Sequence, residues 1–353
     1  MLYDYSDVYA GMAETVDFIR ELLSANPTMN LISDDPDDPE PMAIENDLDK
    51  IEYNPIEKNN HGCSLWAIDG GQGTIVRNNV LIAGICRAGY LKFEKGVRTD
   101  EMITPLRLYN LTPANYIDIY NQTFNDCHSK NSCERPAFGE TLGGLRRVCE
   151  EFVILECLKK IRSGDIVLLD GSLRGDKNGF MAGLTQTIKS SGAHLTGVSK
   201  ASGILWRGGA NLTAVLKNEG DRRMSGKSWS AKVGKSGKDT SGGWISDVYV
   251  AKLNPCSQNA FRIDLAHCND HSAKDVFSAL SEYATDPFFL GYPYPLAAAH
   301  QMVRLTSDEL MAFSLRLQDE ALRAGVNQNG WNMLFEDYHK ILNFDAAQGQ
   351  QNY

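Results

Sequence analysis

Two segments of the chain end an apolar run in Asp-Gly: LWAIDGG, which carries Asp69, and DIVLLDGS, which carries Asp170. A carboxylate on an otherwise apolar strand is costly to bury unless it is paired or bound to metal. The glycine beside each Asp leaves room for a ligand to come close to the backbone. Asp-Gly is also the commonest hairpin dipeptide, so either segment alone reads as a turn. Two of them, each at the C-terminal end of a central strand, read as parts of one shared site. A third acid comes from the helix between them. At ~100° per residue, Val153, Ile154, Cys157, Leu158 and Ile161 form one apolar face, with Glu150 near its middle, Glu151 at its edge and Glu156 opposite. Glu150 is therefore the candidate and Glu151 its alternative; the plain reading is a first-turn Glu that favours the helix dipole. Asp, Glu and Asp without flanking His or Cys are hard oxygen donors suited to Mn²⁺ or Mg²⁺. Two such ions about 4 Å apart hydrolyse phosphodiesters by in-line displacement.

The elements that must position these acids follow from periodicity. Residues 5–25 read as an amphipathic helix through Val8, Met12, Val16, Ile19 and Leu22 or Leu23, and the acidic, Pro-rich stretch 33–60 reads as a linker. A core begins near Ser64, with LWAIDGG as a buried strand and NNVLIAGICRAGYLKF as its hairpin partner leading into a third strand. Thr112-Pro113 opens a helix to about Phe124, and 139–164 holds a long helix. Residues 165–172 form a short strand of the kind buried on both faces. Then come a helix at 179–191, strands at HLTGVS, ISDVYVAKL and NAFRIDL, and helices at 272–284, 295–303 and 307–323. The last is opened by Thr306 and Glu309 at capping-box spacing. The expected organisation is 1–62 as N-terminal helix and acidic linker, a possible dimer or partner contact, and 63–353 as one α/β catalytic domain with C-terminal helices.

Composition narrows the class of protein. The chain has 353 residues, 42% hydrophobic, sufficient for a sizeable core. Its N-terminus carries acid where a signal peptide carries Lys or Arg, and no apolar run approaches a bilayer span, so a soluble cytoplasmic protein without membrane contact is expected. Eight cysteines without a CxxC pair read as reduced thiols, and Cys127-His128 with Cys133 lies outside zinc spacing. The net charge of −10 is unusual for a protein that handles a polyanion, but it is unevenly spread. Residues 34–50 hold much of the acid, whereas 217–238 is basic. Lys200, at a strand end, suits an adjacent phosphate. Arg222, Arg223, Lys227 and Lys232 suit sequence-blind backbone contacts, and Trp229 a stacked base; a surface loop is the plain alternative.

The order strand-Asp, hairpin, helix-Glu, strand-Asp resembles the RNase H superfamily: a mixed β-sheet flanked by helices. A later block, FFLGYPYPLAAAHQMVRLTSDE (288–309), resembles the signature of the NurA family. WAIDGG, LRRVCEEFVILECL, IVLLDGSL, LTGVSK and VYVAKLNP…FRIDL match in the same order, so the resemblance spans about residues 64–325. It implies a metal-dependent nuclease, typically using Mn²⁺, that resects DNA ends from the 5′ side in double-strand break repair. It further implies a homodimer, with residues 5–25 one place for its contact, and a HerA-type hexameric ATPase as partner. The family's acids fall on Asp69, Glu150 or Glu151, and Asp170, and its late His or Asp on His300. A neutral His300 would ligate a second cation or serve as general base or acid on the attacking water.

Two other classes stay open at this point. AIDGGQGT also resembles the phosphate loop of actin-like and sugar-kinase ATPases, which share the RNase H-like fold. A non-catalytic scaffold regulating a DNA translocase would keep the fold without the chemistry, although intact acids at each position speak against it.

Overall fold

The computed structural model describes residues 5–24, 50–58, 62–200, 205–206, 210–234, 245–266 and 270–335. Helix α1 (Ser6–Ser24) is followed by β1 (Tyr53–Pro55), β2 (Ser64–Arg77), β3 (Ile82–Glu94), β4 (Val97–Ile103) and β5 (Arg107–Leu111). Helices α2 (Tyr116–His128) and α3 (Thr141–Leu158) lead to β6 (Ile166–Asp170), α4 (Phe180–Ser191) and β7 (His194–Ser199). A small ribbon of β8 (Leu205–Trp206) and β9 (Ala210–Asn211) precedes α5 (Leu212–Arg223), β10 (Trp229–Gly234), β11 (Asp247–Lys252) and β12 (Phe261–Leu265). The described chain closes with α6 (Asp270–Glu282), α7 (Tyr294–Val303), α8 (Ser307–Arg323) and α9 (Gln328–Phe335).

Ten strands form one mixed sheet in the order β1-β10-β11-β12-β7-β6-β2-β3-β4, with β5 also on β3. β6 runs parallel to β2 on one side and to β7 on the other, and the other pairs are antiparallel. An antiparallel β2–β3–β4 meander extended by parallel β6 and β7 is the RNase H-like core anticipated from the acids.

Alternation along β2 decides what lies on each face of the sheet. Leu65 and Ala67 point into a core built with Leu168, Val198 and the α6–α7 side chains Phe277, Leu280, Leu296 and Ala299. Trp66 and Ile68 point the other way, onto Val153, Ile154 and Cys157 of α3 and Leu184 and Ile188 of α4. Each fully buried aliphatic of this kind contributes roughly 1.5–3 kcal/mol. α1 lays Val8, Met12, Val16 and Ile19 on a third cluster with Phe313 and Leu317 of α8. The capping box of α8 is present, Thr306 Oγ1 accepting from the Glu309 amide while Glu309 accepts from the Thr306 amide.

Several expectations need correction. β2 does not stop at Asp69 but runs eight residues beyond it to Arg77, because β3 pairs along its whole length. The helix expected from Thr112 begins at Tyr116, after a turn in which the Asn115 side chain accepts the Thr112 amide. The expected linker 33–60 ends in a strand, β1, on the edge of β10, while residues 34–49 lie outside the described residues. The basic stretch 217–238 is no loop over its described part: it forms α5, a turn and β10.

Candidate metal centre

Asp69 and Asp170 lie level on neighbouring parallel strands, since Ile68 pairs with Leu169 one step earlier. Both follow the alternation of the Leu65–Ala67 and Ile166–Leu168 face, so both side chains point toward α7. The sequence from Gly291 to Pro295 aims that helix. Gly291 has φ +90°, and a Cβ there would sit 2.2 Å from Ser257 Oγ, so only glycine makes the turn. Pro293 and Pro295 then start α7, and the apolar face Leu296, Ala299, Val303 seats it on the sheet.

Seated there, His300 donates through Nδ1 to Asp69 Oδ2 at 2.8 Å, leaving the Nε2 lone pair free of that bond. The far end of α7 is held by Arg87 of β3, which is buried and donates to the carbonyls of Val303 (2.9 Å) and Arg304 (2.6 Å). One donor atom from each of Asp69, Asp170 and His300 lies within 4.8 Å of the others. Among the described residues this is the group of His, Cys, Asp or Glu with the spacing of a metal site. Ligands of one divalent ion at about 2.1 Å stand roughly 3 Å apart when adjacent and about 4.2 Å when opposite, so these donors fit Mn²⁺ or Mg²⁺ with small adjustments.

Glu150 arrives from the opposite layer. Its carboxylate occupies the space that a side chain at position 70 would fill: a Cβ on Gly70 would lie 2.6 Å from Glu150 Oε1 and 2.7 Å from its Cγ. Burial pushes the Glu150 carboxyl up to about 7, against the pull of Arg146, with the charges of Asp69 and Asp170 adding to the rise. Burial also raises Asp69, helped by Asp170 and opposed by His300 and the Gly70 amide. Two acids held above their ordinary range next to a third is the electrostatic setting that a bound cation relieves. Glu151, the alternative, is elsewhere: it is buried against His128 Nε2 at 2.6 Å, a pair packed between Phe124 and Phe180.

The remaining expected residues divide. Lys200 is at the centre, its Nζ donating to Asp170 Oδ2 at 2.7 Å. Trp229 is fully buried, edge-on to Tyr53 and pressed on Gly220, with no face open to a base; the stacking expectation is wrong because position 229 is an inward position of β10. Lys232 pairs with Asp247 at 2.6 Å, and Arg222 and Arg223 pair with Glu219. Lys227 lies exposed in the turn before β10. β10 is four strands from β6, roughly 19 Å at the usual interstrand spacing. The glycines after Asp69 also have a role other than the expected one. A Cβ on Gly71 would lie 1.9 Å from the Val303 carbonyl and one on Gly73 2.4 Å from Leu310, so the protein's own helices, rather than a ligand, use that space. No phosphate loop exists at DGGQGT, which is continuous strand paired to Gly89–Gly84 of β3, so the ATPase reading loses its loop.

Two members of the centre escaped the sequence. Tyr292 is buried, and its hydroxyl donates to Asp170 Oδ1 at 3.4 Å; burial first, then Asp170 and Asp69, hold its proton on. Arg146 donates to Glu150 Oε1 from four residues earlier on α3. That i, i+4 spacing was legible; Tyr292 had no local signal beyond lying inside GYPYPL.

No family model matches the chain, and no curated protein matches it in sequence. Among solved structures, the NurA nuclease from Sulfolobus solfataricus is similar over 93% of this chain and 99% of its own, at 15% identity and a TM-score of 0.50. Endonuclease V of Ciona intestinalis in complex with inosine-containing DNA covers 72% and 86% at 15% identity and TM-score 0.38. Argonaute of Marinitoga piezophila, in complex with guide RNA and target DNA, covers 70% and 30% at 12% identity and TM-score 0.32. Only the first likeness is close enough to carry weight, and it bears out the NurA-like, RNase H-like fold read from the sequence.

Proposed function

We propose that this chain is a divalent-metal-dependent DNA nuclease that hydrolyses phosphodiesters at DNA ends. The observation that carries the reading is the convergence of Asp69, Asp170 and His300 donor atoms within 4.8 Å, from three separate elements, on a NurA-like fold. Asp69 and Asp170 would hold the cation through oxygens, with Glu150 completing an oxygen-rich shell. The bound metal would supply an activated water and stabilisation of the leaving oxygen. His300, held through Nδ1 by Asp69, would ligate through Nε2 or take a proton there. Tyr292 fixes the Asp170 carboxylate, and Lys200 brings positive charge to the position where a phosphate would meet that carboxylate.

The same proposal includes the finer expectations: 5′-end resection in break repair, two ions with Mn²⁺ ahead of Mg²⁺, a homodimer, a HerA-type hexameric ATPase partner, and work in the cytoplasm. No described helix is long and apolar enough to cross a membrane. Exposed Lys227 is an outlying backbone contact on longer DNA in this proposal. The test is incubation of end-labelled linear DNA with purified protein and Mn²⁺, without ATP, comparing wild type with Asp69→Asn and Asp170→Asn. Cleavage by wild type and a loss of at least about 100-fold in each variant is expected, as for removal of groups acting at the transition state. Equal degradation by all three proteins refutes the site. DNA binding without cleavage by wild type favours the scaffold.

A further inference from the structure

Each acid of the centre is met by one basic side chain of the chain itself: Asp69 by His300, Asp170 by Lys200 and Glu150 by Arg146. The third pairing differs from the others. Arg146 and Glu150 are neighbours on one face of α3, so their contact needs no tertiary placement, yet the Glu150 carboxylate reaches through the opening at Gly70 toward Asp69 and Asp170. The guanidinium is thus held on the one acid that approaches the centre from α3, while about a third of its side chain stays open to solvent. Arg147, next in sequence, turns away toward Glu134 at 3.7 Å.

A divalent cation and a guanidinium compete for the same carboxylate lone pairs, and they repel each other at short range. An Arg freed beside a phosphodiester has a planar fork that fits phosphate oxygens in pairs. We propose that Arg146 is a phosphate-binding residue that Glu150 holds in the centre: when a divalent cation takes the Glu150 oxygen, the guanidinium transfers to the DNA backbone. This inference rests on the metal-centre reading above. It adds a consequence that reading lacks, namely that cation and DNA strengthen each other's binding through one side chain, reciprocally.

The experiment compares wild type, Arg146→Met and Arg146→Lys, each checked for an unchanged circular dichroism spectrum. Mn²⁺ binding is measured without DNA by electron paramagnetic resonance. Binding of a fluorescein-labelled duplex is measured by anisotropy in Ca²⁺ and in EDTA, with the DNA confirmed intact on a gel. Arg146→Met should bind Mn²⁺ several-fold more tightly, because the competitor is gone. It should bind DNA about tenfold more weakly in Ca²⁺ but within about twofold of wild type in EDTA. In Ca²⁺, its salt dependence should fall by about one phosphate contact, and Arg146→Lys should lie between the two. Weaker Mn²⁺ binding by Arg146→Met, or an equal loss of DNA affinity with and without Ca²⁺, overturns the inference in favour of a permanent prop for Glu150. Wild-type protein that binds no Mn²⁺ sinks the metal centre and this inference together. Normal Mn²⁺ binding by wild type, with Arg146→Met indistinguishable from it on both readouts, sinks this inference alone.

Discussion

Replacing Glu150 by Gln tests the electrostatics of the centre without any need for a substrate. In the folded protein the Glu150 carboxyl titrates near 7, against 4.5 for an ordinary Glu, chiefly because it is buried. Below 4.5 the group is protonated in folded and unfolded chains alike and costs nothing. Between 4.5 and 7 only the unfolded chain releases the proton, so a raised folded value means stability present at low pH and lost as pH rises. Integrating that difference from pH 5 to pH 8 gives a loss of roughly 2–3 kcal/mol from this one residue. The Gln variant keeps the shape and lacks the titration. In EDTA it should melt close to wild type at pH 5 and roughly 3 °C above it at pH 8, given the unfolding entropy expected of a chain this long.

The assay is calorimetry or circular dichroism melting at half-unit pH steps, with and without Mn²⁺. Saturating Mn²⁺ should erase the advantage of the variant, because the cation stabilises ionised Glu150 and Gln is the poorer ligand. A constant offset between the two proteins across the whole pH range in EDTA refutes the reasoning: it would mean that Glu150 ionises as though in water. A variant less stable at pH 8 than at pH 5, relative to wild type, would reverse its sign.

Three further perturbations follow from particular contacts. Gly71→Ala places a methyl 1.9 Å from a backbone carbonyl that Arg87 holds in place, so the C-terminus of α7 must move; a cost of at least about 2 kcal/mol by urea unfolding and loss of DNA cleavage are expected, and wild-type values for both would remove the account of that glycine. Tyr292→Phe keeps the buried ring and deletes the bond to Asp170; stability should stay within about 1 kcal/mol while cleavage falls roughly tenfold, which a single-turnover rate would decide. Trp229→Ala should cost about 3–5 kcal/mol in unfolding experiments while DNA affinity per folded molecule is unchanged; selective loss of single-strand binding would reinstate base stacking.

What the sequence made legible were the features determined locally. DIVLLD reads as a strand buried on both faces because an apolar run of that length has few other uses, and the α8 capping box is a four-residue property. The phase of α3 separated Glu150 from Glu151 because the apolar positions that define it lie within three turns. The basic stretch misled for a physical reason. Composition reports charge but not its partner, and Glu219 lies three and four residues from Arg222 and Arg223, the spacing at which a helix cancels its own charges. Trp229, Ala231 and Val233 alternate as an inward-facing strand, a period-two signal outweighed by Lys227, Lys232 and Lys235 around them.

The glycines of β2 show where such reading has to stop. Gly70, Gly71 and Gly73 announce that something must come close to this strand, but not what comes. Three different elements answer: the Glu150 carboxylate of α3, the last carbonyl of α7 and Leu310 of α8. Those approaches are the centre's construction. Removing the side chain at position 70 lets an acid from one layer reach acids of the other, and removing it at position 71 lets the helix bearing His300 lie flat enough for Nδ1 to meet Asp69. The proposed metal site therefore depends as much on the missing side chains of one strand as on Asp69, Asp170, His300 and Glu150. A single methyl at position 71 should abolish cleavage while every one of those four groups remains.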